Sequence, residues 1–211
     1  ILENAPVVFV DSIQGKGIEE LKSEISAQIR RLALDDRSRE RKSRQVARLP
    51  IDRVFTLKGF GTVVTGTLLS GSLKPDDQMA AYPSSQSGEV FKIRSIEVFN
   101  EKEEQALTGQ RTAVNLAGAS KEELCRGMIL SIPGKMEATV SIDAEVNIHA
   151  EAPSALEHRM PVRLHHGSGE SIARAYLLEG KSIRPGEKGL VQLRLDSAIL
   201  GFPGDRFILR R

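Results

Sequence analysis

The sequence predicts a mainly β protein with two consecutive small β-barrels, preceded by a partial α/β segment. Three observations support this fold class. After Leu49, short runs of alternating β-branched and polar residues follow one another, separated by glycine and proline. The dipeptide Pro133–Gly134 divides these runs into two series. Before them, a short valine-rich run is followed by apolar residues at helical spacing.

The first segment, residues 1–34, is expected to be a strand, a loop and a helix. Pro6–Val10 is a short apolar run that suits a buried parallel strand, and Gly15 and Gly17 then mark a turn. Apolar residues recur at spacings of three and four, which predicts a helix from about Ile18 to Leu34. One such unit cannot complete a sheet, so we expect it to be the last piece of an upstream α/β domain.

The second segment, residues 35–48, is expected to be a charged linker. Residues 35–44, DDRSRERKSR, include five basic and three acidic side chains and no apolar one. This run is too polar to bury, which favours a linker or a solvated extension of the helix. The alternative is a basic patch that contacts RNA phosphates, although its charges are mixed.

The third segment, residues 49–134, is expected to form a small closed barrel, because closure removes exposed strand edges. Six short runs in this segment have the composition of strands. They are Arg53–Lys58, Thr62–Leu69, Gln78–Tyr82, Val90–Phe99, Arg111–Leu116 and Met128–Ile132.

The fourth segment, residues 135–211, is expected to form a second barrel. Its strand candidates are Thr139–Ala150, Arg159–His166, Ser171–Leu178, Gly189–Leu195 and Arg206–Leu209. The chain begins with isoleucine rather than methionine, and its last residues resemble a strand interrupted in mid-course. We therefore expect both ends to be cuts and the second barrel to be truncated at its end.

Composition narrows the function classes. Thirty basic and 28 acidic side chains leave a net charge of +2, so bulk electrostatics do not require a nucleic-acid partner. The single cysteine, Cys125, excludes a disulfide framework, and we expect it to be a small buried residue in a reducing cytosol. The sequence has neither a long apolar run nor a signal-peptide pattern. We therefore expect a cytoplasmic protein with no membrane partner.

No catalytic or metal site is expected. The stretch GFGTVVTG lacks the lysine and hydroxyl residue of a P-loop, which makes Gly59 and Gly61 hairpin glycines. The DxxG and NKxD motifs and a nucleophile elbow are absent from the sequence. Adjacent histidines on a strand point to opposite faces, so His165 and His166 cannot easily bind one ion.

The stretch Leu49–Gly71, LPIDRVFTLKGFGTVVTGTLLSG, resembles the opening of the second domain of translational GTPases such as elongation factor Tu. Elongation factor Tu normally has Glu-Asp after the leading proline and apolar residue, whereas this chain has Asp52-Arg53. Asp-Arg is typical of the selenocysteine-specific elongation factor. The stretch Ile93–Gly118 also resembles that factor, with Arg111 in a GQR triplet where elongation factor Tu typically has asparagine.

The resemblance extends over essentially the whole chain. Residues 5–32 are similar to the final strand, guanine-contacting loop and last helix of a GTPase domain, so the resemblance implies a partial nucleotide contact at Asp11, Ser12 and Ile13. Relatives usually have Ser-Ala in this loop. The alternative is a plain strand-to-helix turn with Ser12 or Gln14 near the helix start. The intact protein is then expected to use GTP and Mg²⁺, and this fragment neither.

The resemblance also implies that Asp52, Arg53 and Arg111 surround the selenocysteine carried by tRNA. A selenol is mostly ionised near neutral pH, whereas a serine hydroxyl stays neutral. Two guanidinium groups can therefore favour a selenolate over serine, and a carboxylate can orient them. Phe99 would be an aromatic wall where many relatives have histidine, so no side-chain hydrogen bond is expected there. For each charged residue, the alternative is a surface ion pair.

In the resembling family the second barrel helps to hold the acceptor arm of tRNA. Candidate phosphate contacts are Arg159, Arg163, Arg174 and Arg184, with a solvated surface as the alternative.

The implied function is GTP-dependent delivery of selenocysteinyl-tRNA to the ribosome for UGA recoding. A messenger-RNA hairpin would bind to C-terminal domains that this chain lacks. Two alternatives stay open. The chain could be domains II and III of another translational-type GTPase, either a general elongation factor or a sulfate-activation GTPase, or a barrel protein used only for protein interaction. No GTP hydrolysis is expected of this chain alone.

Overall fold

The protein was analysed as a computed structural model. It describes residues 5–33, 45–57, 59, 61–83 and 89–211. By their contacts, residues divide into a unit of residues 1–42 and a unit of residues 43–211. The predicted linker falls mostly outside the described residues, including all of its charged run 35–44.

The described part of the first unit contains one helix, α1, at Ile18–Ala33, which begins where the apolar spacing predicts. Its first turn carries Glu19 and Glu20 and its last turn Arg30 and Arg31. Acidic groups near the amino end and basic groups near the carboxyl end of a helix interact favourably with its dipole. Local charge therefore adds to the apolar stripe in specifying this helix.

The predicted strand at Pro6–Val10 is wrong. These residues form no strand, and the side chains of Val7 and Phe9 are 75% and 88% exposed. A strand needs a neighbour to share its backbone hydrogen bonds, and the described part of this unit contains no other strand. The segment has the composition of a buried strand but no sheet within its unit to join.

The second unit begins with nine strands. They are β1 Arg48–Leu57, β2 Gly61–Thr67, β3 Ser72–Leu73, β4 Gln78–Tyr82, β5 Phe91–Val98, β6 Glu101–Glu103, β7 Ala106–Leu107, β8 Arg111–Ala117 and β9 Ile129–Ser131. Six of them pair in the order β4-β9-β1-β2-β8-β5, and β5 pairs back with β4. This ring is the closed barrel that the alternating sequence predicts.

Two differences from the predicted strands have local causes. Strand β1 begins five residues earlier than predicted, because the buried run Arg48–Ile51 continues the ladder and pairs with β9 despite Pro50. Strands β3, β6 and β7 were not predicted, because two or three residues are too few to show an alternating pattern.

The core of the first barrel is made of apolar side chains that point inward from each strand. Its largest fully buried members include Leu49, Ile51, Leu68, Ile93 and Leu130. Burying a side chain of this size stabilises the fold by about 1.5–3 kcal/mol. The barrel is therefore a firm support for the polar side chains on its outer face.

Seven further strands form the second part of this unit. They are β10 Thr139–Asn147, β11 Leu156–Glu157, β12 Met160–His166, β13 Gly169–Leu177, β14 Ser182–Ile183, β15 Lys188–Ile199 and β16 Phe207–Arg210. Five of them form an antiparallel sheet in the order β10-β15-β13-β12-β16. Among the described residues the outer strands β10 and β16 do not pair with each other, so this sheet is a half-barrel.

The first barrel and the half-barrel are joined by a buried ion pair. Arg48 Nη1 donates to both carboxylate oxygens of Asp205, at 3.0 and 2.8 Å, and His166 Nε2 lies 3.1 Å from Asp205 Oδ2. Burial raises the pKa of Asp205, but the hydrogen bonds with His166 and Arg48 outweigh it and hold the pKa at about 2. This carboxylate is therefore ionised at neutral pH.

Cys125 is exposed, contrary to the expectation that it is buried. Its neighbour Leu124 is 3% exposed and packs in the core of the first barrel, so the loop buries only one of the two. In the described part of the chain, no helix is long and apolar enough to cross a membrane. Within the same residues, no group of three or more potential metal ligands comes together.

Candidate functional site

Strand β1 carries a β-bulge at Asp52. Ile51 lies opposite Gly66 of β2, and Arg53 lies opposite Thr65, so Asp52 is an extra residue between two ladder pairs. Bulges redirect side chains, and here the extra residue brings the Asp52 carboxylate to β2 and β8. Asp52, which the sequence analysis selected by its residue type, is thus also the bulged residue of the strand.

Gly66 is required by the close approach of the two strands at this bulge. A Cβ atom at this position would lie 2.1 Å from the carbonyl oxygen of Pro50 and 2.8 Å from Leu49 Cδ2. Glycine within a strand often marks such a close backbone contact. The glycine of the TVVTG stretch therefore serves the bulge rather than a phosphate.

Asp52 and Arg111 form a two-pronged ion pair. Arg111, the first residue of β8, donates from Nη2 to Asp52 Oδ1 at 3.1 Å and from Nη1 to Oδ2. The hydrogen bond from Arg111 lowers the pKa of Asp52 against the opposing effect of burial, and the carboxylate raises the pKa of Arg111. The Arg111 side chain remains 50% exposed, so part of its guanidinium faces solvent.

Thr65 is a member of this site that sequence reasoning missed. Its hydroxyl donates to Asp52 Oδ1 at 2.7 Å, which further lowers the pKa of the carboxyl group. Thr65 lies directly opposite Arg53 across the hairpin of β1 and β2. Counting outward from the glycine turn places Thr65 opposite Arg53, but it does not show that the bulge beyond this pair brings Asp52 to the Thr65 hydroxyl.

Arg53 lies on the outer face of the barrel and is exposed. Its positive charge also lowers the pKa of Asp52. This effect acts through space, because the two described side chains are not joined by a hydrogen bond. The ladder aligns Arg53 with Thr65, Ala113 and Glu97 on four adjacent strands. Since opposite residues share a face, the short side chains of Thr65 and Ala113 form a low floor between two charged groups.

Phe99 stands at the edge of this face, in the two-residue turn between β5 and β6. Its backbone φ is 54°, that of Asn100 is 67°, and its side chain is 82% exposed. Positive φ at both residues is the pattern of a type I′ hairpin turn, and a bulky aromatic residue is unusual there. Val98 lies opposite Thr112, so the turn is close in register to Arg111.

The structure thus brings three side chains into direct contact, Asp52, Arg111 and Thr65. It places Arg53 on the same outer face and Phe99 in a neighbouring turn. The arrangement can offer guanidinium N–H groups to an anion of about the size of one side chain, against a floor of small residues.

The loop at Asp11, Ser12 and Ile13 lies in the first unit. Asp11 Oδ1 accepts hydrogen bonds from the backbone N–H groups of Ile13 and Gln14, at 2.9 and 3.1 Å. Helix α1 begins only at Ile18, so neither Ser12 nor Gln14 lies at its start. The carboxylate thus stabilises its own loop, and a contact between this loop and a guanine base stays a prediction.

Gly59 and Gly61 are hairpin glycines, and the use of GTP and Mg²⁺ by the intact protein stays a prediction. Gly59 and Gly61, with φ of 83° and 94°, join the antiparallel strands β1 and β2, as a hairpin and not a phosphate-binding loop would. The two histidines have different partners, Glu170 for His165 and Asp205 for His166.

The candidate phosphate contacts of the half-barrel have differing surroundings. Arg163 is paired with Glu170 at 2.7 Å, and the Arg159 guanidinium lies 5.9 Å from the ring of Tyr176. Arg184 is exposed in the loop after β14.

Arg174 lies directly opposite Arg194, which was not predicted, and Arg163 lies opposite Arg210. Like charges directly opposite on neighbouring strands are unfavourable, which favours an anionic partner at Arg174 and Arg194. At the other pair, Glu170 already supplies an anionic group to Arg163. The register that creates them is a property of the folded sheet and could not be read from single strands.

Two family models match this chain. Residues 61–131 match elongation factor Tu domain 2, and residues 143–211 match the β-barrel domain of the selenocysteine-specific elongation factor. The selenocysteine-specific elongation factor of Desulfomicrobium baculatum is 40% identical over 209 residues, covering 99% of this chain and 32% of that protein. That of Haemophilus influenzae is 35% identical over 210 residues, covering 99% of this chain and 31% of that protein.

A more distant relative is elongation factor 1-alpha of Nanoarchaeum equitans, 29% identical over 177 residues, or 75% of this chain and 40% of that protein. The chain spans about a third of the length of the selenocysteine-specific factors that it matches.

Proposed function

We propose that this chain, which belongs to the selenocysteine-specific elongation factor family, forms the part of such a factor that holds the aminoacyl end of selenocysteinyl-tRNA. The observation that carries the proposal is the half-exposed pair of Asp52 and Arg111 with Arg53 on the same face. The family membership supports an aminoacyl group as the ligand, and we propose that the charges select which one.

Charge supplies the selectivity. A guanidinium has five N–H donors, and Arg111 uses two for Asp52, which leaves N–H groups for a ligand. Arg53 and Arg111 carry two positive charges against one on Asp52, so this trio suits a single anion such as a selenolate. A charge-assisted hydrogen bond contributes about 1.5–3 kcal/mol, so two of them discriminate roughly a hundredfold or more against a neutral serine hydroxyl.

Asp52 holds Arg111 in place. Its carboxyl group has a lowered pKa and is therefore ionised at neutral pH, so the two-pronged contact persists where translation takes place. A long arginine side chain otherwise samples many rotamers, and fixing it before the ligand arrives lowers the entropic cost of binding. The carboxylate thus contributes orientation, and the guanidinium groups contribute attraction.

The test compares two tRNAs that differ in the amino acid. In the full-length protein that carries this sequence, Arg53→Ala and Arg111→Ala are each expected to weaken selenocysteinyl-tRNA binding about ten- to a hundredfold, the effect of one charge-assisted hydrogen bond. Binding of seryl-tRNA should change only a few-fold. Lys121→Ala removes a positive charge from an exposed loop of the same barrel and serves as the matched control. Equal losses for both tRNAs would contradict the proposal.

The arginines of the half-barrel are proposed to contact tRNA phosphates. Arg174 and Arg194 lie side by side on β13 and β15 and are exposed, which favours an anionic partner. Replacing both arginines with alanine should weaken the binding of selenocysteinyl-tRNA and of seryl-tRNA equally. The slope of log affinity against log salt should fall by about one for each phosphate that the variant no longer neutralises. A solvated surface would leave the slope unchanged.

The wider activity of the family is proposed for the whole protein. It comprises GTP-dependent delivery of selenocysteinyl-tRNA to the ribosome at UGA in the cytoplasm, with a messenger-RNA hairpin as a further partner. No step of that reaction is assigned to the described residues.

The match of residues 61–131 to elongation factor Tu domain 2 favours a second candidate, a general elongation factor. Such a factor would bind the two tRNAs alike, so the same comparison separates the two candidates.

A further inference from the structure

We infer that the hairpin between β12 and β13 of the half-barrel positions the Asp52 bulge of the first barrel, with Ser168 as the positioning residue. The inference rests on the proposed role of the bulge in amino acid recognition. It assigns a part in selecting the amino acid to a residue of the half-barrel that contacts neither Asp52 nor Arg111 directly.

The contact lies at the residue just before the bulge. Ser168 donates its hydroxyl hydrogen to the backbone carbonyl oxygen of Ile51, with 2.7 Å between the two oxygens. The same carbonyl accepts the N–H of Gly127 at 3.0 Å, and the N–H of Ile51 donates to the carbonyl of Met128 at 2.7 Å. The Ser168 bond is the contribution of the half-barrel to holding Ile51.

Peptide geometry carries this contact to the site. The carbonyl of Ile51 and the N–H of Asp52 belong to one planar peptide unit, so holding the oxygen also fixes the direction in which the Asp52 backbone begins. A bulge interrupts the ladder, and Asp52 has no partner residue of its own on β2. An additional anchor on its peptide plane therefore has a larger effect than it would in a regular strand.

The hairpin fits closely against the first barrel. A Cβ atom on Gly127 would lie 3.0 Å from the Cα of Gly169, and one on Gly167 would lie 3.4 Å from Pro50 Cβ. Arg126 Nε donates to the carbonyl of Ser168 at 3.2 Å. The turn is thus held by contacts on both its backbone and its side chain, which places the Ser168 hydroxyl at one defined point.

The hydrogen bonds of the Asp52 carboxylate complete the path from the half-barrel to the guanidinium. Once the Asp52 backbone is set, its carboxylate is fixed by the hydroxyl of Thr65 and by the two-pronged contact with Arg111. A tilt of the Ile51 peptide would move the carboxylate and turn Arg111 with it. Charge discrimination at the site then depends on how the half-barrel is seated.

The chemistry of Ile51 makes this inference testable without unfolding the protein. In Ser168→Ala the carbonyl of Ile51 keeps its bond from Gly127, so no buried acceptor is left without a partner. Stability should therefore change little, while orientation at the bulge is relaxed. Ser168→Thr retains the hydroxyl and is the rescue variant.

The experiment measures dissociation constants of selenocysteinyl-tRNA and seryl-tRNA for the full-length protein that carries this sequence. In Ser168→Ala, the preference for selenocysteinyl-tRNA should fall about fivefold, the effect of one neutral hydrogen bond. Seryl-tRNA affinity and the denaturant midpoint should stay near those of the unmodified protein, and Ser168→Thr should recover most of the preference. Ser182→Ala, at an exposed serine of β14, is the control.

Each outcome has one meaning. If the unmodified protein shows no preference between the two tRNAs, the proposed function fails before the hairpin is tested. If it shows the preference and Ser168→Ala retains it in full, the positioning role is overturned. If Ser168→Ala weakens the binding of both tRNAs equally, the contact only holds the half-barrel against the first barrel. That outcome also overturns the inference.

Discussion

The second unit contains two pairs of aspartate and arginine whose surroundings differ. Asp52 and Arg111 lie on the outer face of the first barrel, with side chains 28% and 50% exposed. Asp205 and Arg48 join the first barrel to the half-barrel, with side chains 19% and 9% exposed. The chemical groups are the same, so the difference in their roles comes from solvent and from additional partners.

The pair of Arg48 and Asp205 has several further partners within the protein. Arg48 also donates from Nε to the Ser70 hydroxyl at 3.0 Å, and its guanidinium lies 4.2 Å from the ring centre of Phe202. Asp205 accepts the backbone N–H of Phe202 in addition to its contacts with Arg48 and His166. A charge pair that is shielded from solvent in this way joins two parts of the fold. In the half-exposed pair, part of the guanidinium faces solvent.

The largest expected effect comes from breaking the buried pair. Arg48→Met keeps the length of the side chain but leaves the Asp205 carboxylate without its main partner, which should lower the free energy of unfolding by about 3–5 kcal/mol. Urea denaturation measures this loss. Arg111→Met is the matched variant at the exposed pair and should lower it by no more than about 1 kcal/mol. Similar losses in both variants would erase the contrast between the two pairs.

The low pKa of Asp205 makes the contribution of the buried pair to the free energy of unfolding depend on acid pH. This pKa falls from an ordinary 3.8 to about 2 on folding. The unfolded chain binds the proton more readily, so the ion pair stabilises the fold above about pH 4 and this stabilisation, about 2 kcal/mol, is lost as the pH falls toward 2. Urea midpoints measured across this range give the slope. An unchanged slope in Asp205→Asn would assign the acid sensitivity to other carboxyl groups.

The exposed aspartate should matter less for stability. Asp52→Asn retains the size of the side chain and loses its charge, and we expect the free energy of unfolding to fall by at most about 1 kcal/mol, the value of a partly exposed ion pair. At neutral pH, Asp205→Asn should lower the free energy of unfolding more than Asp52→Asn does. Calorimetry or urea denaturation of the two variants in parallel shows which one loses more free energy of unfolding. A larger loss in Asp52→Asn would mean that the bulge contributes more to stability than its exposure predicts.

The smallest effect is expected at a fully surface-borne pair. Arg163 and Glu170 are joined at 2.7 Å, with side chains 52% and 54% exposed. Arg163→Ala should change the free energy of unfolding by about 0–0.5 kcal/mol, because solvent screens the pair and both side chains lose freedom in forming it. The variant gives a baseline for the other four variants, and a loss above about 1 kcal/mol would contradict this prediction.

Much of the strand pattern could be predicted because alternation has a simple cause. In β13, every second residue from Ser171 to Leu177 is buried, and such alternation is visible in a single sequence. In β5 the alternation shifts by one residue at the irregularity between Ile93 and Ser95. Pro6–Val10 shows the limit of this reasoning, since its composition suits a strand but its unit offers no neighbour to pair with. The same holds for the edges of the half-barrel, where alternation cannot say whether a sheet closes.

The residues of the candidate site could be named from the sequence, whereas their arrangement could not, and their role in binding stays a prediction. The identities of Asp52, Arg53 and Arg111 pointed to charge recognition through a family resemblance. The bulge at Asp52 and the hydroxyl of Thr65 depend on how two strands are registered, which no local pattern of side chains encodes. The Ser168 contact is less accessible still, because it joins residues 117 positions apart.

The sequence by itself determined which side chains carry charge, which strands alternate, and that the nucleotide-binding motifs are absent. Only the tertiary structure decided which arginine is buried between the two barrels and which is half-exposed on an outer face. Arg48 and Arg111 are chemically identical, and each faces an aspartate. One aspartate lies 157 residues away in a buried seam, whereas the other lies 59 residues away on an open face. The strength and role of a charge depend on its solvent and its neighbours, and both are set by long-range folding.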